Sequence, residues 1–206
     1  MKICLLANPR TGSTSLYGLI LAHLSSEYYC VSEPFNPHYM KYVGDNRNHI
    51  KMFHDHKDVF FKHIIYQYPT IFETKELWYN WLFVNFDKIL LLDRKNRLLQ
   101  SESFVYHETK NRSSWHIQSY YDLSGVDESK IKERIDLLEQ DGQFILEKSK
   151  DYPLFYYEDL FVEKDINKIN ELLTYLGIES KQKYIDRFIF SDSLKVRKET
   201  KNTKLL

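Results

Sequence analysis

Between an apolar run at residues 3–7 and the helically spaced Leu16, Leu19 and Ile20 stands the segment Asn8-Pro9-Arg10-Thr11-Gly12-Ser13-Thr14-Ser15. These residue types suit the holding of an oxyanion. Gly12 lets the backbone come close to a ligand, and Ser13, Thr14 and Ser15 supply hydroxyl donors. Arg10 adds a permanent planar charge whose fork matches a phosphate or a sulfate. The run before them has the length and composition of a buried strand. Strand, tight turn and helix N-terminus together leave backbone N–H groups without intrahelical partners, at the positive end of the helix dipole. The nucleoside-triphosphate signature G-x-x-x-x-G-K-[ST] is not met, because the leading Gly is absent and Ser13 stands at the Lys position.

Further reactive residues fall at the ends of other apolar runs. Glu33 follows the segment Tyr28-Tyr29-Cys30-Val31-Ser32, Lys62 and His63 lie in Val59-Phe60-Phe61-Lys62-His63-Ile64-Ile65, and Arg94 closes Lys88-Ile89-Leu90-Leu91-Leu92-Asp93. Ser103 stands nine residues beyond Arg94. On a helix it lies near enough to share one phosphate with that guanidinium. The elements that must position them alternate. Strands are expected at residues 3–7, 28–32, 59–65, 88–94 and 154–157. Helices are expected at about 14–25, 74–84, 96–110, from 126 onward and at 166–176, the last capped by Gly177. Residues 38–57 read as a loop with a short helix. This pattern implies an α/β fold, a parallel P-loop-type β-sheet of about five strands flanked by helices on both faces. Ligands of such sheets lie beyond the carboxyl ends of the strands, which gathers the 8–14 loop, Glu33, Lys62, His63 and Arg94 around one crevice.

The 206 residues make one domain, 1–206, ending in a basic tail at about 191–206 with Lys195, Arg197, Lys198, Lys201 and Lys204. Basic and acidic residues number 29 each, so no global field draws the chain to nucleic acid or a membrane surface, and an anion site must gather its charge locally. Cys4 and Cys30 sit in apolar contexts without metal-ligand spacing and read as buried thiols of a reducing compartment. With neither a signal-peptide core nor the roughly 20-residue apolar run of a membrane span, a cytoplasmic protein is expected. His54-Asp55-His56 lacks a further ligand cluster, so no metal is expected.

Arg10-Thr11-Gly12-Ser13-Thr14 after a first strand resembles the 5'-phosphosulfate loop of sulfotransferases that use 3'-phosphoadenosine-5'-phosphosulfate (PAPS). Arg94, Gln100 and Ser103 fall in register with the R-R-x-x-x-x-Q-x-x-S helix of the bacterial glycolipid branch, the trehalose and nodulation-factor sulfotransferases. Asp93 and Lys95 depart from it, and Glu102 occupies the place where many other sulfotransferases carry their phosphate-binding Ser. Thr109 with Trp115 and His116, Tyr157-Glu158-Asp159-Leu160, and Leu176-Gly177 follow in the order common to that family.

The resemblance implies transfer of a sulfuryl group from PAPS to an acceptor hydroxyl, of a carbohydrate or glycolipid, without a metal. Arg10 and the backbone of residues 11–14 would hold the phosphosulfate with Ser15 beside them, and Arg94 with Ser103 the 3'-phosphate of PAPS or of its product PAP. Glu33, in Glu33-Pro34-Phe35, matches the branch's catalytic base, with Pro34 where an aromatic is commoner. His63 is the rival base, one position out of register with the K-x-H pattern of the steroid and phenol enzymes, and Lys62 reaches toward the sulfate. The acceptor pocket would come from residues 36–57 and 111–125. Members of the branch dimerise, which leaves a homodimer open here. Two other readings stay beside this one: a nucleotide or nucleoside kinase with a degenerate loop, and a phosphoadenosine-binding module without turnover.

Overall fold

The computed structural model describes residues 1–36, 46–67, 69, 71–109 and 126–190, the side chains of Asn46 and Arg47 excepted. The first strand, β1 (Lys2–Ala7), is buried along its length after Lys2 because it is the middle of the sheet. It is followed by α1 (Ser13–His23), β2 (Tyr29–Ser32), α2 (Asn46–Asp55), β3 (Val59–Ile64), α3 (Lys75–Asn85) and β4 (Lys88–Asp93). The remainder comprises α4 (Arg97–Thr109), α5 (Glu128–Lys148), β5 (Leu154–Tyr156), a π-helical turn (Glu158–Val162), α6 (Ile166–Tyr175) and α7 (Gln182–Ile189). The strands lie in the order β2-β3-β1-β4-β5 and every neighbouring pair is parallel. The expected five-stranded parallel α/β sheet is therefore the observed one.

Side-chain alternation divides the core into two layers. Ile3, Leu5 and Ala7 join Phe60, Leu90 and Leu92 on one face, covered by Leu16 and Ile20 of α1, Ile169 and Leu172 of α6, and Ile185 and Phe188 of α7. Cys4 and Leu6 join Val59, Phe61, Ile89 and Leu91 on the other, covered by Phe53 of α2, Trp78 and Leu82 of α3, and Ile145 of α5. The π-helical turn Glu158–Val162 is not among the expected elements, and two α-helices also differ from expectation. The short helix allowed within residues 38–57 is ten residues long, and α7 stands where the sequence reading places no helix. Both are polar stretches with only a few apolar anchors: Phe53 of α2 is buried against the sheet, and Ile185, Phe188 and Ile189 of α7 are buried in the layer that α1 also fills.

Among the described residues no helix is long and apolar enough to cross a membrane. Since all strands run the same way, the loops after β1, β2, β3 and β4 emerge on a single rim.

Candidate active site

The loop after β1 is shaped by two left-handed residues, Arg10 (φ 62°) and Gly12 (φ 74°). The ladder continues one residue past the strand, Asn8 N–H donating to Leu92 O at 3.0 Å, and Thr11 Oγ1 donates to Asn8 O at 2.7 Å to tighten the turn. Gly12 is the N-cap of α1 and brings no side-chain cap to that end. By contrast Thr74, Asp127 and Asp165 cap α3, α5 and α6 with their side-chain oxygens. An eleven-residue helix thus presents an uncapped N-terminus at the rim, the arrangement that suits an anion. A side chain at position 12 is excluded on two counts. The φ disfavours any L-residue, and a Cβ there would lie 2.8 Å from the Phe161 ring.

On the β4 side the loop is tied down by α4. Arg10 Nε donates to Ser103 Oγ at 2.9 Å, Gln100 Nε2 to Pro9 O at 2.6 Å, and Arg94 Nη1 to Arg10 O at 3.3 Å. The Arg94 guanidinium lies over the Tyr157 ring at 4.4 Å, and its Nε is 3.9 Å from Glu158 Oε1. Glu158 in turn accepts the backbone N–H groups of Lys95 and Asn96, each at 3.0 Å, which ties the π-helical turn to the start of α4. Behind the loop, Arg97 grips Asp93 through two bonds of 2.7 and 2.6 Å and donates to Gln100 Oε1 at 2.8 Å. Asn8 Nδ2 reaches the same carboxylate at 3.0 Å.

On the β3 side lies an acid–base pair. Lys62 Nζ is 2.6 Å from Glu33 Oε1 and donates to Thr14 Oγ1 at 2.8 Å. Glu33 Oε2 accepts from Asn36 Nδ2 at 2.9 Å and from Gln67 Nε2 at 3.0 Å. Lys62 is 1% exposed and Glu33 6%. The Glu33 backbone is itself constrained, with φ 52° and its N–H donated to Lys62 O at 2.9 Å. Burial pushes the Glu33 carboxyl up, but the Lys62 charge and the three side-chain hydrogen bonds outweigh it and leave the group below its ordinary value. Burial pulls the Lys62 ammonium down, and Glu33 offsets that only in part. The two groups form an ion pair removed from solvent and set against the loop after β1.

Expected site residues are therefore sorted by position. Arg10, Thr11, Gly12, Ser13, Thr14, Ser15, Glu33, Lys62, Arg94 and Ser103 share the rim. Ser103 Oγ and Arg94 Nη1 both meet Arg10, the first at its guanidinium and the second at its carbonyl, so the two residues expected to share a phosphate flank the same loop residue.

His63 is displaced from the site. One residue beyond Lys62, it turns to the other face, where Trp78 Nε1 donates to its Nε2 at 3.0 Å and the rings of Phe35, Phe61 and Tyr79 surround it. It is 0% exposed, and burial first, Lys75 second, lower its pKa to about 3. An imidazole so placed is a core residue. The two amides on Glu33, Asn36 and Gln67, are not among the residues singled out from the sequence, because single amides have no periodic signal. Of the expected acceptor pocket, residues 37–45 and 111–125 (with Trp115 and His116) lie outside the described residues, as does the basic tail.

No family model matches this sequence, and no curated protein does. Among the solved structures that match, mouse sulfotransferase SULT7A1 complexed with PAP is similar at a TM-score of 0.57 and 14% identity, over 91% of this chain and 62% of that one. The chain thus spans less than two thirds of that protein's length. Deoxyadenosine kinase from M. mycoides with bound dATP matches over 84% of this chain and all of its own, at 17% identity and a TM-score of 0.42. The first likeness is one of fold; the second is too loose to argue from.

Proposed function

We propose that this chain is a sulfotransferase that takes its sulfuryl group from PAPS and passes it to an acceptor hydroxyl. The observation that carries the reading is Lys62, a buried ammonium in contact with both the anion loop at Thr14 and the carboxylate Glu33. The resemblance of the Arg10–Thr14 loop and of the Arg94, Gln100 and Ser103 helix supports the donor assignment, and so does the sulfotransferase-like fold.

The donor supplies a sulfuryl group that moves in line, a new O–S bond to the acceptor forming as the S–O bond to the 5'-phosphate breaks. The chain's residues do the rest by positioning and by charge. The uncapped N-terminus of α1, Gly12 and Arg10 bind the phosphosulfate end. Arg94 and Ser103 bind the 3'-phosphate. Lys62 stabilises the charge that develops on the departing phosphate oxygen. Glu33 accepts the acceptor's hydroxyl proton, an assignment preferred over His63, which is walled off in the opposite layer. A sugar or glycolipid hydroxyl is the acceptor class, on the strength of the glycolipid-branch motifs.

Calorimetric titration of PAP without magnesium, set against ATP with magnesium, tests the reading. Micromolar binding that requires the 3'-phosphate is expected, weakened about tenfold to hundredfold in Arg94→Ala by loss of a charge-assisted contact. Binding of ATP only with magnesium would overturn it in favour of a kinase.

A further inference from the structure

Lys62 has more partners than a static ion pair needs. Its Nζ stands between Glu33 Oε1 at 2.6 Å and Thr14 Oγ1 at 2.8 Å, out of reach of solvent. Either contact can be lost without stranding a charge completely. Without Lys62, Glu33 still accepts from Asn36 and Gln67 through Oε2. Without Glu33, Lys62 still has Thr14, beside the helix N-terminus where an anion would sit.

The two sides also differ in freedom. Glu33 is locked by a left-handed φ, a backbone bond to Lys62 O and two amides, whereas Lys62 has a four-carbon stem with three rotatable donors. If one member moves, it is the lysine.

We propose that Lys62 is an exchangeable ammonium. It pairs with Glu33 until an anion occupies the loop at the N-terminus of α1, and then shifts to that anion, leaving Glu33 held by Asn36 and Gln67 alone. This rests on reading residues 8–15 as an anion site, whatever the donor. The exchange couples two requirements of transfer. The carboxylate loses its neutralising partner, and so becomes a better proton acceptor, only when the anion to be stabilised is in place. Proton abstraction is thereby ordered after donor binding by a single side-chain movement.

The test uses the full chain and two probes, PAP and inorganic pyrophosphate. In a crystal structure of the wild-type complex with either probe, Lys62 Nζ is expected on the anion and away from Glu33, with the Asn36 and Gln67 bonds intact. In solution Glu33→Gln, isosteric and still able to accept from both amides, should bind the probe about tenfold more tightly, because no carboxylate competes for the ammonium. An Nζ that stays on Glu33 beside a bound anion overturns the proposal, and so does a Glu33→Gln variant, folded by circular dichroism, with unchanged or weaker affinity. Failure of PAP with success of pyrophosphate would sink the donor assignment and leave the exchange standing. Failure of both probes to bind the wild type overturns the exchange itself.

Discussion

The burial of His63 makes the protein's stability depend on pH. Its pKa is about 3 in the folded protein against an ordinary 6.5, so between those values the unfolded chain binds a proton that the native state does not. The residue therefore makes stability fall as pH drops from 6.5 toward about 3 and changes nothing above that window. The whole span is worth about 5 kcal/mol at most. Urea unfolding across this range should show the loss. The His63 ring resonances should stay flat down to pH 5, and a titration centred near 6.5 would contradict the burial. The neighbouring Lys62 has the opposite fate for a reason visible in the sequence: adjacent strand residues point to opposite faces. Alternation alone does not say which face meets the 8–15 loop. That follows from β3 lying beside β1, with Lys62 paired to Leu5 in register, so that its side chain shares the layer of α1 and reaches Thr14.

Two glycines show how elements obey more than their own propensities. Gly18 of α1 is exposed, and a Cβ there would meet nothing within 4 Å. Gly18→Ala should stabilise the protein by about 0.5–1 kcal/mol, the ordinary helix-interior gain. Gly142 of α5 faces inward, and a Cβ there would stand 2.0 Å from Arg97 Nη2. That guanidinium is pinned to Asp93 and Gln100 and has no slack to give. Gly142→Ala should therefore lose about 1–3 kcal/mol through overpacking, despite the better helix former. Equilibrium unfolding of the two variants gives opposite signs if this account is right; two gains would refute it. Most element positions were legible because caps, strand runs and helical spacing are local. α7 was not. Its segment carries three buried residues, Ile185, Phe188 and Ile189, in an otherwise polar sequence, and it owes its burial to the layer formed by α1 and α6.

At the scale of the molecule, that dependence makes α7 a load on the sheet rather than an appendage. Ile185 is fully buried in the same layer as β1 and Phe161, the ring that backs Gly12. Ile185→Ala should cost about 2–5 kcal/mol of unfolding free energy in urea titration, while a change under 1 kcal/mol would mean that α7 is peripheral. The alternation of strands and helices, hence the parallel α/β class, was legible in the amino-acid order alone. The residue types of the 8–15 loop and of each strand end are likewise local. Those features are written within a few neighbouring residues, in periodicity, glycine placement and capping. The strand order, the Glu33–Lys62–Thr14 line, the amides on Glu33, the link from Arg10 to Ser103 and the burial of His63 on the other face come from tertiary packing. These contacts join residues 48 positions apart in Lys62–Thr14 and 93 apart in Arg10–Ser103. No local period spans such distances, and the choice of which strand lies beside which is made by burying both faces of the sheet at once.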